Sequence, residues 1–375
     1  MSERLEPKSF GEAAAALRQA STAGHAVRFC GGGTKAGWCA PGREPAIEIS
    51  SASLNQVAEH NAGDLTAVLE AGAPLAEAQA LFASAGQMLA LDPPLGERDR
   101  ATIGGIVATG DSGPLRHRYG AVRDLVIGMT VALSDGTIAR SGGKVIKNVA
   151  GYDLAKLFCG SFGTLGMILA VNVRLHPTPP ASATAIGSTG DPASLSAAAI
   201  KLAGAPLELD ALDVAWRDSR GELLARASGA EPARRAERAA ALMREAGLEP
   251  VEVVSSDQAW WERQREGQRS TGAALVRVST RPTLLGEVLA FTEELGGKLV
   301  GRAAVGTSYI DCDPSAVSRI RASLAAGATA VVLDGPAQLD RWGMAEGPPI
   351  ELMRRVKERF DPAGACNPGV FVGGI

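Results

Sequence analysis

Short apolar runs and helical spacings alternate along the first half of the chain. Apolar residues recur at helical spacing in 9–23, and Pro74 opens a second helical stretch that ends before Gly86. A helical turn is expected at 54–59 and a helix at 148–158. Strands are expected at residues 26–30, 46–49, 65–69 and 163–173, with a β-hairpin over 124–140 around the turn Ser134-Asp135-Gly136.

The sequence pattern changes at the proline-rich stretch Pro177-Thr178-Pro179-Pro180, where we place a domain boundary. From 181 to 333 strands alternate with helices, and residues 298–311 are expected to form one strand. A helix follows at 350–359, and Asn367-Pro368-Gly369 predicts a rigid turn. The pattern predicts an α+β chain with domains at 1–178 and 179–334, and a segment 335–375 that either forms a tail or returns to the first domain.

Glycine is concentrated between Asp92 and Pro177, which hold fourteen of the chain's 45 glycines. Glycine loses much backbone entropy on folding and packs no side chain. Apolar strand-like runs separate these glycines, so the region is ordered and is not a flexible linker. The glycines indicate either tight turns or a backbone that lies close to a ligand.

Composition narrows the classes of function. A chain of 375 residues is long for one core, and a net charge of −3 with 4% aromatic residues argues against a nucleic-acid surface. The N-terminal residues carry no apolar signal segment, and no run of about 18 apolar residues predicts a membrane span. Five cysteines without a CxxC motif fit a reducing cytoplasm and supply no iron–sulfur or zinc motif.

A strand that runs into Gly31-Gly32-Gly33-Thr34-Lys35 presents backbone N–H groups, which form a good concavity for anions. The segment lacks the GK[ST] ending of a Walker loop and is not the GxGxxG dinucleotide motif. A plain glycine turn remains the alternative when this motif stands alone.

Eight motifs in one order resemble the FAD-binding flavoproteins of the vanillyl-alcohol-oxidase, or PCMH, type. They are 31–34 (GGGT), 92–94 (DPP), 102–105 (TIGG), 118–120 (RYG), 135–136 (DG), 147–154 (KNVAGYDL), 163–166 (GTLG) and the closing 360–362 (FDP) with 367–369 (NPG). The resemblance implies a two-subdomain FAD-binding domain, a smaller α+β cap domain, and a C-terminal segment that packs back on the FAD domain.

Within this family, residues 144–154 (KVIKNVAGYDL) are similar to the glycolate oxidase and D-lactate dehydrogenase branch. The short chain and its 112–114 segment (SGP) most resemble the FAD-binding subunits of glycolate oxidase. This implies oxidation of glycolate to glyoxylate beside a paralogous catalytic FAD subunit and an iron–sulfur subunit. It also implies a cytoplasmic location. Any association with the inner face of the membrane would be made through those partner subunits.

The resemblance also implies which residues bind FAD. The loop 31–34 would hold the pyrophosphate, residues 160–168 the adenine or ribose end, and Asn367 would lie near the isoalloxazine. Thr34 stands where some relatives carry a histidine that attaches the flavin, so FAD is expected to be non-covalent. The candidate cofactor-binding residues are Gly31, Gly32, Gly33, Thr34, Lys35, Gly37, Pro93, Thr102, Ile103, Gly104, Gly105, Ala108, Thr109, Gly110, Tyr152, Asp153, Gly163, Thr164, Leu165, Ile168 and Asn367.

Catalytic candidates are few. Relatives of this branch that oxidise substrate carry metal-binding histidines in the cap, but none of this chain's four histidines lies in 181–333, so no metal site is expected. His117 is the candidate for the base that accepts the hydroxyl proton, although a surface histidine is the simpler interpretation. Arg277 is the best candidate to bind a substrate carboxylate, and Arg302 is a weaker candidate for the same role. The alternative for both arginines is that they lie on a solvent-exposed face.

Two rival functions stay open. One is a self-sufficient FAD-dependent dehydrogenase of a D-2-hydroxy acid, which would reduce its flavin without partners. The other is a scaffold subunit that kept the fold and lost the flavin. The costly glycines in 31–34 and 102–105 argue against the scaffold.

Overall fold

The structure is a computed structural model that describes residues 2–38, 40–144, 153–271, 273–344 and 346–375. The helices are α1 Phe10–Thr22, α2 Leu75–Ser84, α3 Ile103–Thr109, α4 Arg116–Tyr119, α5 Val122–Leu125, α6 Ala155–Phe158, α7 Pro192–Ala203, α8 Pro232–Glu245, α9 Gln258–Glu266, α10 Leu285–Glu294, α11 Val317–Ser323 and α12 Pro348–Phe360. The strands are β1 Glu3–Leu5, β2 Val27–Cys30, β3 Ile47–Ser50, β4 Val57–Asn61, β5 Thr66–Glu70, β6 Gln87–Met88, β7 Val126–Ala132, β8 Ile138–Gly142, β9 Met167–Arg174, β10 His176–Pro177, β11 Ser182–Thr189, β12 Ala211–Arg217, β13 Arg220–Ser228, β14 Val251–Val254, β15 Ala274–Ser279, β16 Lys298–Arg302, β17 Thr307–Cys312 and β18 Thr329–Asp334.

The chain divides into two compact units. The first unit comprises residues 1–112, 120–178 and 344–375, and the second comprises 113–119 and 179–343. Each unit therefore contains pieces of chain that are far apart in sequence.

The first unit contains a parallel three-stranded sheet, β1-β3-β2, and an antiparallel five-stranded sheet, β4-β5-β9-β7-β8. Helix α1 begins at the N-cap Ser9, whose side chain accepts a hydrogen bond from the Glu12 N–H. Its buried residue Leu17 shares a core cluster with Ile49 of β3 and Leu169 of β9. The C-terminal segment extends the parallel sheet, because Cys366 forms a β-bridge with Val27.

The second unit is built on one antiparallel eight-stranded sheet in the order β14-β11-β13-β12-β16-β17-β15-β18. Its main core packs helices α7, α8, α10 and α11 against one face, with Leu195, Ala239, Leu289 and Ile320 fully buried. On the other face, Trp261 of α9 packs with Leu224 in a smaller cluster.

Two expectations about local structure were wrong. Residues 57–59 begin strand β4 instead of closing a helical turn, because β4 pairs with β5. The segment 298–311 forms two strands, β16 and β17, which pair with each other after a turn at 303–306. Residues 148–152 of the expected helix at 148–158 lie outside the described residues, and α6 covers Ala155–Phe158.

Candidate functional site

The first glycine loop follows directly from β2, which ends at Cys30. Gly33 has φ +72°, a left-handed conformation that side-chain-bearing residues rarely adopt. Among the described residues, the amide N–H groups of Gly32, Gly33 and Thr34 have no hydrogen-bond acceptor. The loop thus presents adjacent unpaired donors, the arrangement that suits a phosphate group.

The second glycine segment lies against this loop. Thr102 caps α3, and its Oγ1 accepts a hydrogen bond from the Gly105 N–H at 3.4 Å. A Cβ on Gly31 would lie 2.2 Å from Thr102 Oγ1, and one on Gly32 would lie 1.7 Å from the carbonyl oxygen of Arg100. The close approach of the two backbones explains both glycines, and it brings the predicted segments 31–34 and 102–105 together.

Helix α3 has one open side made of small residues. Gly105 and Ala108 are half-buried, whereas Ile103, Gly104 and the intervening apolar residues are buried. The Thr109 hydroxyl donates to the Gly105 carbonyl at 2.8 Å, and Gly110, with φ +65°, ends the helix. The open side of α3 therefore lets a flat group approach the helix backbone closely.

Asn367 joins three pieces of the first unit. Its Oδ1 accepts from the Phe29 N–H at 3.0 Å, and its Nδ2 donates to the Phe162 carbonyl at 2.6 Å. A Cβ on Gly163 would lie 2.7 Å from that Nδ2, so only glycine fits there. These bonds give Asn367 a structural role, and its predicted place near the isoalloxazine stays a prediction.

Other predicted cofactor residues differ in how accessible they are. Pro93, Thr164, Leu165 and Ile168 are buried, and the Thr164 hydroxyl donates to the Ser161 carbonyl. Gly37 and Asp153 are exposed, and the Asp153 carboxylate pairs with Lys156 at 3.4 Å. Tyr152 lies outside the described residues.

Lys35 makes an ion pair with Asp111. Its Nζ lies 3.3 Å from Asp111 Oδ2, and both side chains are almost fully buried. The predicted FAD ligand Lys35 is therefore engaged by a carboxylate of the protein.

A cleft of about 330 Å³ borders both glycine segments. Besides Gly31, Gly32 and Thr102, it is lined by Asn55, Glu77 and residues 98–100, which the sequence analysis did not propose. Arg98 and Asp99 have φ values of +55° and +53°, an uncommon pair of left-handed residues. The signal that could have found them is the charged run 97–100 beside glycine-rich sequence.

The segment 113–119 belongs to the second unit. Arg118 Nη1 binds Asp210 Oδ1 at 2.8 Å, which fixes α4 near β12. His117 is half-buried; burial lowers the pKa of this imidazole, and the negative charge of Asp210 partly opposes that shift. Burial, and then Asp210, raise the pKa of Tyr119. Both side chains are therefore mainly neutral at pH 7.

The two candidate arginines have different surroundings. Arg277 lies in β15 opposite Tyr309 of β17 and is half-buried, and its side chain has no hydrogen-bond or ion-pair partner among the described residues. Arg302 is 1% exposed, and its guanidinium binds the carboxylate of Asp213 and the side-chain oxygen of Gln268. Arg277 thus keeps a guanidinium available for a ligand, whereas Arg302 is occupied by the protein. No hydrogen bond or ion pair in the described part of the chain joins these arginines to His117.

The comparisons with known proteins agree with this geometry. Residues 3–142 match the family model of the FAD binding domain. This part of the chain is therefore similar to an FAD-binding domain. The match supports the predicted FAD-binding domain and the predicted cofactor, FAD.

Relatives extend the match. The chain is 42% identical to glycolate oxidase subunit GlcE of Escherichia coli over 127 residues, which is 34% of this chain and 36% of that protein. The matched part is thus about a third of that subunit's length. The chain is also 27% identical to an uncharacterized FAD-linked oxidoreductase, Rv2280, of Mycobacterium tuberculosis over 418 aligned positions. That alignment covers 98% of this chain and 90% of that protein. The expected class, an FAD-linked oxidoreductase, is supported.

A solved structure of alkyldihydroxyacetonephosphate synthase superposes with a TM-score of 0.71, covering 97% of this chain and 76% of the other at 16% identity. At this identity the likeness shows the fold. None of the helices in the described ranges is long and apolar enough to cross a membrane.

Proposed function

We propose that this chain is the FAD-binding subunit of a complex that oxidises glycolate to glyoxylate. The observation that carries the proposal is the 42% identity with glycolate oxidase subunit GlcE over 127 residues. Its partners would be a paralogous catalytic FAD subunit and an iron–sulfur subunit that takes the electrons onward. The complex would work in the cytoplasm, with any contact to the membrane made through the partners.

FAD is proposed to bind without a covalent bond. Thr34 stands where a histidine would be needed for attachment, and residues 26–40 contain no histidine. The amides of Gly32, Gly33 and Thr34, for which the described ranges offer no acceptor, support a phosphate site made of backbone donors. The open side of α3, with Gly105 and Ala108, would receive the flat ring system.

The substrate step is proposed to belong to the paralogous subunit. Residues 181–333 contain no histidine, so a cap-borne histidine that could bind a metal or accept the hydroxyl proton is not available in that range. This chain would then accept or relay electrons, or support assembly.

A second candidate is a self-sufficient D-2-hydroxy acid dehydrogenase, and Arg277 favours it. When bound, FAD supplies a hydride acceptor for the carbon that carries the hydroxyl group. The guanidinium of Arg277, which has no partner in the part of the chain that the structure describes, would bind the substrate carboxylate. The neutral imidazole of His117, whose pKa burial lowers, would accept the hydroxyl proton.

An anaerobic absorption spectrum of the purified chain separates the candidates. The proposal expects an oxidised flavin spectrum that glycolate and D-lactate leave unchanged until the partner subunits are added. Bleaching by either substrate without partners would replace it with the self-sufficient dehydrogenase. A colourless protein that also fails to take up added FAD would leave only the scaffold.

A further inference from the structure

A buried ion pair connects the two glycine segments of the FAD-binding domain. Lys35 comes directly after the loop 31–34, and Asp111 comes directly after Gly110, which ends α3. Lys35 Nζ and Asp111 Oδ2 are 3.3 Å apart, and the side chains are 6% and 0% exposed.

The position of Asp111 is electrostatically unfavourable for a negatively charged carboxylate. Its backbone N–H donates to the Ile106 carbonyl at 3.2 Å, which fixes the residue at the C-terminal end of α3. The carbonyl groups at that end carry partial negative charge, and burial removes the water that would screen a carboxylate. Asp111 therefore depends on a nearby cation, and Lys35 supplies it.

FAD brings further negative charge to the same region through its pyrophosphate. The adjacent loop offers the amides of Gly32, Gly33 and Thr34, which have no acceptor among the described residues. The ammonium of Lys35 is meanwhile held by Asp111. The loop can therefore bind phosphate through its backbone, provided that Asp111 is neutralised.

We propose that Lys35 is a charge-neutralising residue: it offsets the negative charge of Asp111 so that the glycine loop can accept the FAD pyrophosphate through backbone amides alone. Asp111 in turn holds Lys35 and so fixes the end of the loop against the end of α3. The proposal concerns FAD binding only, so it stands or falls independently of the substrate and of partner subunits.

The alternative is that Lys35 itself binds the phosphate, and a set of neutral replacements distinguishes the two roles. Lys35→Met leaves Asp111 buried without this cation. Asp111→Asn keeps the lysine charge, and the double variant removes both charges. If Lys35 only cancels Asp111, the second substitution repairs the first; if it binds FAD, the double variant stays impaired.

The experiment is a titration of the FAD-free protein with FAD, followed by quenching of flavin fluorescence. We expect Lys35→Met to raise the Kd for FAD about tenfold or more, because the negative charge of buried Asp111 is then no longer offset by this cation and opposes an anionic ligand. We expect the double variant to stay within about threefold of the unsubstituted protein, since neutral pairs often replace buried ion pairs without loss. Asp111→Asn is expected to stay within about threefold as well, because it leaves the cation of Lys35 in place, and a cation does not oppose an anionic ligand. Lys201→Met, which removes a half-exposed lysine of the second unit, is the matched control and should not change the Kd.

A double variant as weak as Lys35→Met would overturn the proposal in favour of direct phosphate binding. Thermal unfolding of each FAD-free variant is measured in parallel. If Lys35→Met does not fold, the comparison of the double variant with Asp111→Asn still decides: matched Kd values support neutralisation, and a loss confined to the double variant contradicts it.

Discussion

Asp361 is expected to be a main support of the C-terminal segment, and Asp361→Ala tests this. Its side chain is fully buried at the end of α12, 2.5 Å from Lys357 Nζ, which is itself 12% exposed. The carboxylate also accepts from the Cys366 N–H at 2.8 Å and the Ala365 N–H at 3.2 Å. Lys357 donates in addition to the Thr164 carbonyl at 2.7 Å.

The substitution leaves a buried ammonium without its carboxylate and two buried amides without an acceptor. Breaking a buried ion pair by removing one partner costs about 3–5 kcal/mol. Each hydrogen bond from a backbone N–H to a carboxylate contributes about 1.5–3 kcal/mol, but the two hydrogen bonds share one carboxylate, so their contributions do not add. We therefore expect Asp361→Ala to lower the free energy of unfolding by about 3–5 kcal/mol.

The matched control is Glu346→Ala. Glu346 pairs with Arg354 of α12 at 2.7 Å, but these side chains are 68% and 41% exposed. An exposed pair of this kind is worth about 0–1 kcal/mol. The two variants thus compare a buried and an exposed carboxylate that each pair with a residue of the same helix.

Urea denaturation of FAD-free protein, combined with hydrogen exchange, is the assay. The Val27 N–H donates to the Ala365 carbonyl and the Asn367 N–H to the Val27 carbonyl, so these two amides report on the segment directly. Faster exchange at both is expected in Asp361→Ala. If Asp361→Ala loses no more stability than Glu346→Ala, the assigned role is wrong.

The same residue predicts a dependence on pH. Burial by itself would raise the pKa of Asp361, but the charge of Lys357 and the hydrogen bonds outweigh it, so the pKa lies below its ordinary 3.8. A lowered pKa means that the carboxylate stabilises the fold fully above the unfolded-state pKa, and that this contribution is lost as the pH falls through the lowered value. The stability difference between unsubstituted protein and Asp361→Asn should therefore shrink below about pH 4, and a difference independent of pH from 2 to 6 would contradict this.

Three further predictions concern the glycine loop and the two candidate arginines. Gly32→Ala should abolish FAD retention and lower the melting temperature, because its Cβ would lie 1.7 Å from the Arg100 carbonyl oxygen; unchanged flavin content after purification would contradict the close approach. Arg302→Met should lower the free energy of unfolding of the second unit by about 3–5 kcal/mol, because it takes the guanidinium from buried Asp213. Arg277→Met should change stability by less than about 0.5 kcal/mol, so a loss comparable to that of Arg302→Met in urea denaturation would show that Arg277 supports the fold.

Local sequence was sufficient to find the parts of the FAD-binding domain that depend on backbone chemistry. The loop 31–34 and the turn at Gly136 follow from glycine preferences that act within a few residues. The segment 102–105 was proposed through the family resemblance, and its N-cap at Thr102 is a finding of the structure. The family resemblance added the cofactor, because eight weak motifs in one order carry more information than any one of them.

Contacts between distant residues were beyond this kind of prediction. The bond between Arg118 and Asp210 spans 92 residues and places 113–119 in the second unit, although the sequence on both sides belongs to the first. The pair Lys35–Asp111 and the burial of Arg302 depend likewise on strands and helices brought together by the fold. Strand β4 was missed because its pairing with β5, not its own composition, decides its conformation.

The β-bridge between Val27 and Cys366 has a consequence for synthesis on the ribosome. Strand β2 emerges early, but the segment that completes its sheet follows more than 300 residues later. At translation rates of about 5–20 residues per second, the edge of β2 stays unpaired for at least about 15 seconds before the segment with Cys366 is synthesised. During that interval an open strand edge can pair with other chains, so chaperone supply is expected to influence the yield of folded protein.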